Sequence, residues 1–210
     1  MSKLDVWTEF VKFGAMSDDK KSRILAAARS VFLSYGFKRV SMNDIADAAG
    51  VSRPALYVLF KNKEEIFIAA YLRWVEETIA QVEAAMAQTA RPQDKLARAF
   101  DIWAVGPFEM TRAALAAEEL VNCNFAFAEA ARDHGNATFE ATIAPVVSKL
   151  SETHPAVSRI APDRIALVLV SAVRGFKQTA ATPDDMRRLI DELLLLSFGV
   201  EGPGLGEADQ

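Results

Sequence analysis

Cysteine occurs once and histidine twice in this 210-residue chain. A single cysteine excludes an intrachain disulfide. The two histidines, His134 and His154, have no metal-ligand spacing around them, so no metal centre is expected. No apolar run is long enough to span a bilayer, and Val6 to Phe13 is too short and too acidic for a leader. A phosphate-binding glycine loop and a nucleophile elbow are both missing. Glu118 and Glu119 are adjacent, so a helix points them apart. Cys123 has no histidine near it in sequence. These absences lead to an expectation of a cytoplasmic protein without membrane contact, cofactor or catalytic site. Strand signals are missing as well: nothing alternates with period two, and no hairpin dipeptide joins β-branched runs. The expected fold class is all-α.

What is present is ordinary in bulk and uneven in detail. Hydrophobic residues make up 51% and charged residues 25%, enough to build a core in a soluble chain of one or two domains. The net charge of −4 is at odds with a polyanionic partner until the chain is split. Residues 1–75 carry twelve Lys+Arg against eight Asp+Glu, or +4; residues 76–210 carry twelve against twenty, or −8. A basic head on an acidic body turns the head towards phosphate.

Ser41 to Phe60 reads as a helix-turn-helix. Ile45 and Ala49 share one face of a short first helix; Leu56 and Leu59 share one face of a second. Gly50 stands between them, where a left-handed turn residue is cheapest. Ala46 supplies the small side chain at the crossing. Ser41 with Asp44 spells a capping box, Ser52 an N-cap, and Asn62 with Glu65 the start of a further helix at Lys63. The start of the second helix then faces outward with Ser52, Arg53, Pro54, Tyr57 and Val58, a geometry suited to a DNA major groove.

Ser41, Asp44-Ile45-Ala46, Ala49-Gly50-Val51-Ser52, Leu56-Tyr57, Phe60, Lys63-Glu64 and Ile66 together resemble the DNA-binding domain of the TetR family of bacterial transcriptional regulators. Ile24 to Ala28 and Phe32 to Phe37 resemble that family's first helix and its glycine exit. The resemblance covers about residues 18–75 and departs from the family at Val58-Leu59, where an aromatic or histidine pair is common. Val58 has no hydrogen-bonding group, so no polar contact is expected from it. The resemblance implies an N-terminal three-helix helix-turn-helix domain, followed by a C-terminal helical domain for ligand binding and dimerisation.

The rest of the chain patterns as helix. Residues 1–16 form an extension with an apolar face of Val6, Phe10 and Phe13. The DNA-binding domain covers 17–62, its first helix starting at Ser17 and burying Ile24, Ala28, Val31, Phe32 and Tyr35. A long helix over 63–88, about 39 Å at 1.5 Å per residue, links it to the domain 63–200. Helical stretches follow at about 93–105, 107–120 and 121–151, with a break at Gly106-Pro107. Helices 163–178 and 183–198 are apolar on more than one face, which calls for a second partner. A two-fold homodimer through these helices is expected. Thr182, Pro183, Asp184 and Asp185 start the last helix and Gly199 ends it. The tail 201–210, rich in glycine, is expected to be disordered.

Site residues follow from these placements. Arg53 is set to read guanine or to hold a phosphate. Ser41, Ser52 and Tyr57 are expected on phosphates, and Lys63 at a phosphate site on its helix start. Pro54 and Ala55 are placed against thymine methyls. The family resemblance also implies a cavity for a small hydrophobic ligand. Trp74, Trp103, Phe108, Met110, Cys123, Asn124, Phe127 and Arg174 are its expected lining. The function expected is that of a repressor binding double-stranded DNA at a palindromic operator as a dimer and released by such a ligand. The alternatives are a regulator without a ligand, or a helical ligand-binding protein with a vestigial head.

Overall fold

Capping side chains mark where helices begin. Ser41, Ser52, Asn62 and Thr182 each accept a hydrogen bond from the backbone N–H of the third helical residue. Each thereby satisfies a donor that the helix itself cannot. The computed structural model of the chain describes residues 3–113, 125–154 and 157–199, and all regular structure among them is helical. Helix α1 covers Lys3–Tyr35, α2 Met42–Ala48, α3 Arg53–Leu59 and α4 Lys63–Gln88. Helices α5 (Pro92–Phe100) and α6 (Gly106–Ala113) are joined by a π-helical turn, Asp101–Val105. A 3₁₀ turn, Ala126–Ala128, leads into α7 (Glu129–Glu152); α8 (Pro162–Thr179) and α9 (Pro183–Phe198) complete the fold.

Two hydrophobic cores share α4. The head core gathers Ile24, Ala28 and Phe32 of α1 with Phe37, Val40, Ile45, Leu56 and Phe60, and takes Ile66 and Ala70 from α4. The body core takes Val75, Val82 and Met86 from the same helix and sets them against α5, α7, α8 and α9. The first two turns of α4 therefore belong to the head, beyond the boundary at residue 62. Arg29 of α1 and Arg73 of α4 both pair with Glu77, at 3.4 and 2.9 Å, on the exposed side of the same junction.

Several expectations change. The segment 3–16 continues α1 without a break, so the first helix begins at Lys3 and not at Ser17. The expected face of Val6, Phe10 and Phe13 lies outside the described side chains, and the tail 201–210 outside the described residues. Tyr35, expected inside, is 62% exposed. It is the last residue of α1, and Phe37 takes the inward position beyond Gly36. Gly106-Pro107 does not break the chain into two helices. Gly106 N–H bonds to Asp101 O, five residues back, and the wider π turn admits the proline without unwinding the helix. Helix α7 likewise continues through Pro145, which lies on its exposed side.

The body core is organised by aromatic stacking. Trp103 lies 4.7 Å from Phe139 with ring planes 5° apart, and Trp74 stacks on Trp103 at 5.4 Å. Phe100 meets Phe139 edge-on at 5.4 Å. Close by, α7 crosses α4 at Gly135, where a Cβ would sit 3.0 Å from both Tyr71 Oη and Val75 Cγ2. Phe139 is fully buried at the centre of this cluster. Phe139→Ala should lower unfolding free energy by about 3–5 kcal/mol, read from the denaturant midpoint.

Tyr71, beside Gly135, has its hydroxyl pushed up to about 12, chiefly by burial. Folding favours the neutral phenol. Its contribution is complete below the ordinary value of 10.0 and is lost as pH climbs through about 12. An alkaline absorbance titration should show a tyrosine step near 12 that disappears in Tyr71→Phe.

Candidate nucleic-acid interface

The helix-turn-helix is locked by local hydrogen bonds. Ser41 Oγ accepts from Asp44 N–H at 3.3 Å. Asp44 Oδ2 accepts from Ser41 N–H and from Ser41 Oγ, each at 2.8 Å. The backbone N–H of Ser41, and secondarily its hydroxyl, holds the Asp44 carboxyl below its usual range. In the turn, Val51 N–H bonds to Ala46 O at 3.0 Å, and Gly50 takes φ +63°, a conformation that L side chains rarely adopt. Ala46 is 2% exposed at the crossing. Ser52 then caps α3, its Oγ accepting from Ala55 N–H at 3.4 Å. Pro54 sits in the first turn, where a helix needs no donor.

Helix α3 is a presented element. Of its seven residues only Leu56 is fully buried; Ala55 and Leu59 are partly covered. Arg53, Pro54, Tyr57 and Val58 are exposed, Val58 to 83%. The Arg53 guanidinium lies over the Tyr57 ring, 5.5 Å from its centroid. That contact restrains a long cation one turn from its own position.

Lys63 is where the structure departs from the expected site. Its Nζ donates to Phe37 O and Val40 O, both at 3.0 Å, and to Lys38 O at 3.4 Å. It also stands 4.5 Å from the centroid of the Phe37 ring. An ammonium has three N–H donors, and three carbonyls of the α1–α2 connection take them. Lys63 thus ties that connection to the start of α4 and has no donor directed to a phosphate. Its sequence position beside the N-cap Asn62 carried no sign of this, because the acceptors lie 23–26 residues upstream. Lys38 and Arg39 on the same connection are exposed. So is Lys61, a cation passed over in the sequence, which lies just before the N-cap of α4.

Of the six expected ligand residues that are described, three share one core and three lie apart from it. Trp74, Trp103 and Phe108 belong to the body core, where Trp103 stacks between Trp74 and Phe139. Met110 is 54% exposed. Arg174 is exposed on α8, with its charge felt by Glu140 and Lys177. Phe127 packs in the head instead, 5.0 Å from Phe37 and 5.7 Å from Phe67, with Phe125 stacked on it. Cys123 and Asn124 lie outside the described residues. An open groove of about 330 Å³ runs between α4 and α7, bounded by Val75, Ile79, Glu83, His134 and Thr138, and none of the six described ligand candidates lines it. Among the described residues, no helix is long and apolar enough to cross a membrane.

Residues 24–70 match the family model of bacterial regulatory proteins, tetR family. Over 84 residues the chain is 34% identical to the transcriptional activator FasR of Mycolicibacterium smegmatis, covering 40% of this chain and 38% of that protein. The matched stretch thus spans about two-fifths of the length of the sequence relatives. The solved structure of the fatty acid degradation regulator FadR from Bacillus halodurans superposes with a TM-score of 0.64 at 16% identity, over 89% of this chain and 96% of that one. Thermus thermophilus FadR, a TetR-family repressor solved with lauroyl-CoA, gives 0.59 at 23% identity, over 89% and 99%. At these identities the superpositions establish the fold.

Lys63→Met should lower the stability of the head by about 2–3 kcal/mol, the scale of hydrogen bonds to a charged group left unmade. Thermal unfolding followed by circular dichroism measures it. Unchanged stability together with a shallower salt dependence of DNA binding would return Lys63 to the phosphate backbone.

Proposed function

We propose, on the premise that the chain belongs through its N-terminal head to the tetR family of bacterial regulatory proteins, that it is a sequence-specific transcriptional regulator. It docks α3 of two subunits in successive major grooves of a palindromic operator. The observation that carries this reading is the face of α3. Arg53, Pro54, Tyr57 and Val58 are held outward by a helix whose two ends and preceding turn are fixed. Arg53 is the guanine reader, through paired bonds to O6 and N7. Ser41 and Ser52 stand at the helix starts for phosphates, joined by Lys38, Arg39 and Lys61. Phosphate neutralisation by two heads of +4 supplies the sequence-independent attraction.

The dimer forms through α8 and α9. Leu167 and Val168 of α8 and Leu195 and Leu196 of α9 are exposed, the last to 85%. Apolar residues at this density on two neighbouring helices suit an isologous interface, in which each copy covers the other. Such a dimer sets the recognition helices about 34 Å apart, or a multiple of it.

Regulation by an apolar small molecule is supported by relatives: one structural neighbour was solved with lauroyl-CoA, and a Bacillus subtilis sequence relative is a fatty acid metabolism regulator. A ligand acts by shifting α4 and with it the spacing of the heads. A second reading, a regulator without a ligand, draws on the Trp74–Trp103–Phe139 stack, where rings fill one another's faces. The sign of regulation taken is repression.

Selection of bound duplexes from a random pool at near-physiological salt should enrich a palindrome. Arg53→Ala should then lose about 1–3 kcal/mol and relax one position of each half-site, whereas Lys38→Ala should weaken all sequences alike and lower the salt slope by about one. Saturating lauroyl-CoA should weaken operator binding at least about fivefold if the ligand reading holds. An unchanged affinity across acyl chain lengths favours the second reading. Enrichment of no sequence at all would point to a vestigial head.

A further inference from the structure

The outward face of α3 consists of two rows. Arg53 and Tyr57 are four residues apart, and the guanidinium of the first lies over the ring of the second. Pro54 and Val58 are also four apart and form the adjacent row, which carries no hydrogen-bonding side-chain atom. Val58 is 83% exposed, and among the described large apolar side chains only Leu196, on the apolar patch of α9, is more open. Local structure gives no reason for valine there. It buries almost nothing, caps nothing, and as a β-branched residue is a poorer helix former than the polar residues common on helix surfaces.

We propose that Val58 is a specificity-determining residue that reads the 5-methyl group of a thymine in each operator half-site. This rests on the reading that α3 docks in the major groove. Among the base edges displayed there, the thymine methyl is the one apolar group. A side chain held one turn beyond Pro54, stiff at χ1, offers two methyls at a fixed place with no competing hydrogen bond. Its lack of any acceptor makes it a poor neighbour for the cytosine amino group and the adenine amino group, whose donors it would leave without a partner. The two rows therefore divide the work. The Arg53–Tyr57 row selects a purine edge by hydrogen bonds, and the Pro54–Val58 row selects a methyl by contact.

The test replaces thymines of the selected operator by deoxyuridine, one symmetric pair at a time, which removes the methyl and keeps every hydrogen-bonding group. Full-length protein and Val58→Ala are titrated on each duplex. One thymine position should lose about fourfold per half-site, or about fifteenfold for the symmetric pair, the scale of burying one methyl. In Val58→Ala the thymine and deoxyuridine duplexes should bind alike at that position. A loss that persists in Val58→Ala assigns the methyl to another residue and overturns the proposal. An enriched operator that binds equally well with every thymine replaced also overturns it, and leaves the regulator reading standing. Failure to enrich any operator removes both. Since Val58 is almost fully exposed and alanine is the better helix former, Val58→Ala keeps its fold, and its unfolding midpoint should equal or slightly exceed that of the unmodified protein.

Discussion

Ile66 and Ala70 of α4 are buried in the head, while Val75, Val82 and Met86, further along the same helix, are buried in the body. One rigid rod of 26 residues is thus a core member on both sides of the domain junction. A helix resists bending because its hydrogen bonds run along its axis, so any shift of the body end is delivered to the head as a rotation or translation. The head cannot ignore it: Phe32, Phe37 and Phe67 interlock across α1, the α1–α2 connection and α4. The Lys63 ammonium closes the same connection from the other side.

A second attachment limits the motion. Phe125 and Phe127 reach from the start of α7 into the head and stack 5.0 Å apart, 4.8 and 5.0 Å from Phe37. With α4 alone, the head would swing about one axis. With the phenylalanine pair as well, it is held at two points, both of which meet Phe37. A change in the body alters head orientation only if it moves the two points relative to one another. The crossing at Gly135, where Tyr71 and Val75 leave no room for a side chain, keeps α4 and α7 at a fixed separation close to this junction. Coupling between body and head then depends on how α7 and its preceding 3₁₀ turn slide along α4, more than on how far apart they are.

The parts of the molecule legible in the sequence are those governed by neighbours in sequence. The Ser41–Asp44 box, the Ser52 and Asn62 caps and the Thr182–Asp185 box are contacts over three residues, and each stands where the residues spell it. The bounds of α4, Lys63–Gln88, follow from a cap and a proline in the same way. What could not be read depends on distant partners. Lys63 has the composition of a phosphate ligand and the position of one. Only folding brings Phe37, Lys38 and Val40 to its ammonium. Phe127 looks like a body aromatic by its place in the chain, yet its partners are Phe37 and Phe67. Tyr35 satisfies the helical period of α1 but loses its inward position to Phe37, since periodicity cannot say where a helix stops facing the core. The π turn at 101–105 escapes pattern reading because one extra residue per turn leaves no mark other than Pro107 itself.

The outward face of α3 carries a stability cost that explains the rest of the head. Helix α3 has seven residues and one fully buried side chain, too little to fold or hold position alone. Everything it presents outward is withdrawn from the core, so its placement must come from its ends: Ser52 at one end, the Phe60 side chain in the core at the other, and Gly50 setting the angle between. None of these devices draws on the side chains at 53, 54, 57 and 58. Residues on the outward face can therefore change without unfolding the head. Leu56 and Ala46 cannot change in the same way, for they fix the crossing of α2 and α3 at 0% and 2% exposure. The exposed and the packed face are thus divided along a single turn of helix. By that division, substitutions at 56 and at 57 or 58, one or two residues apart, act on separate faces of the helix.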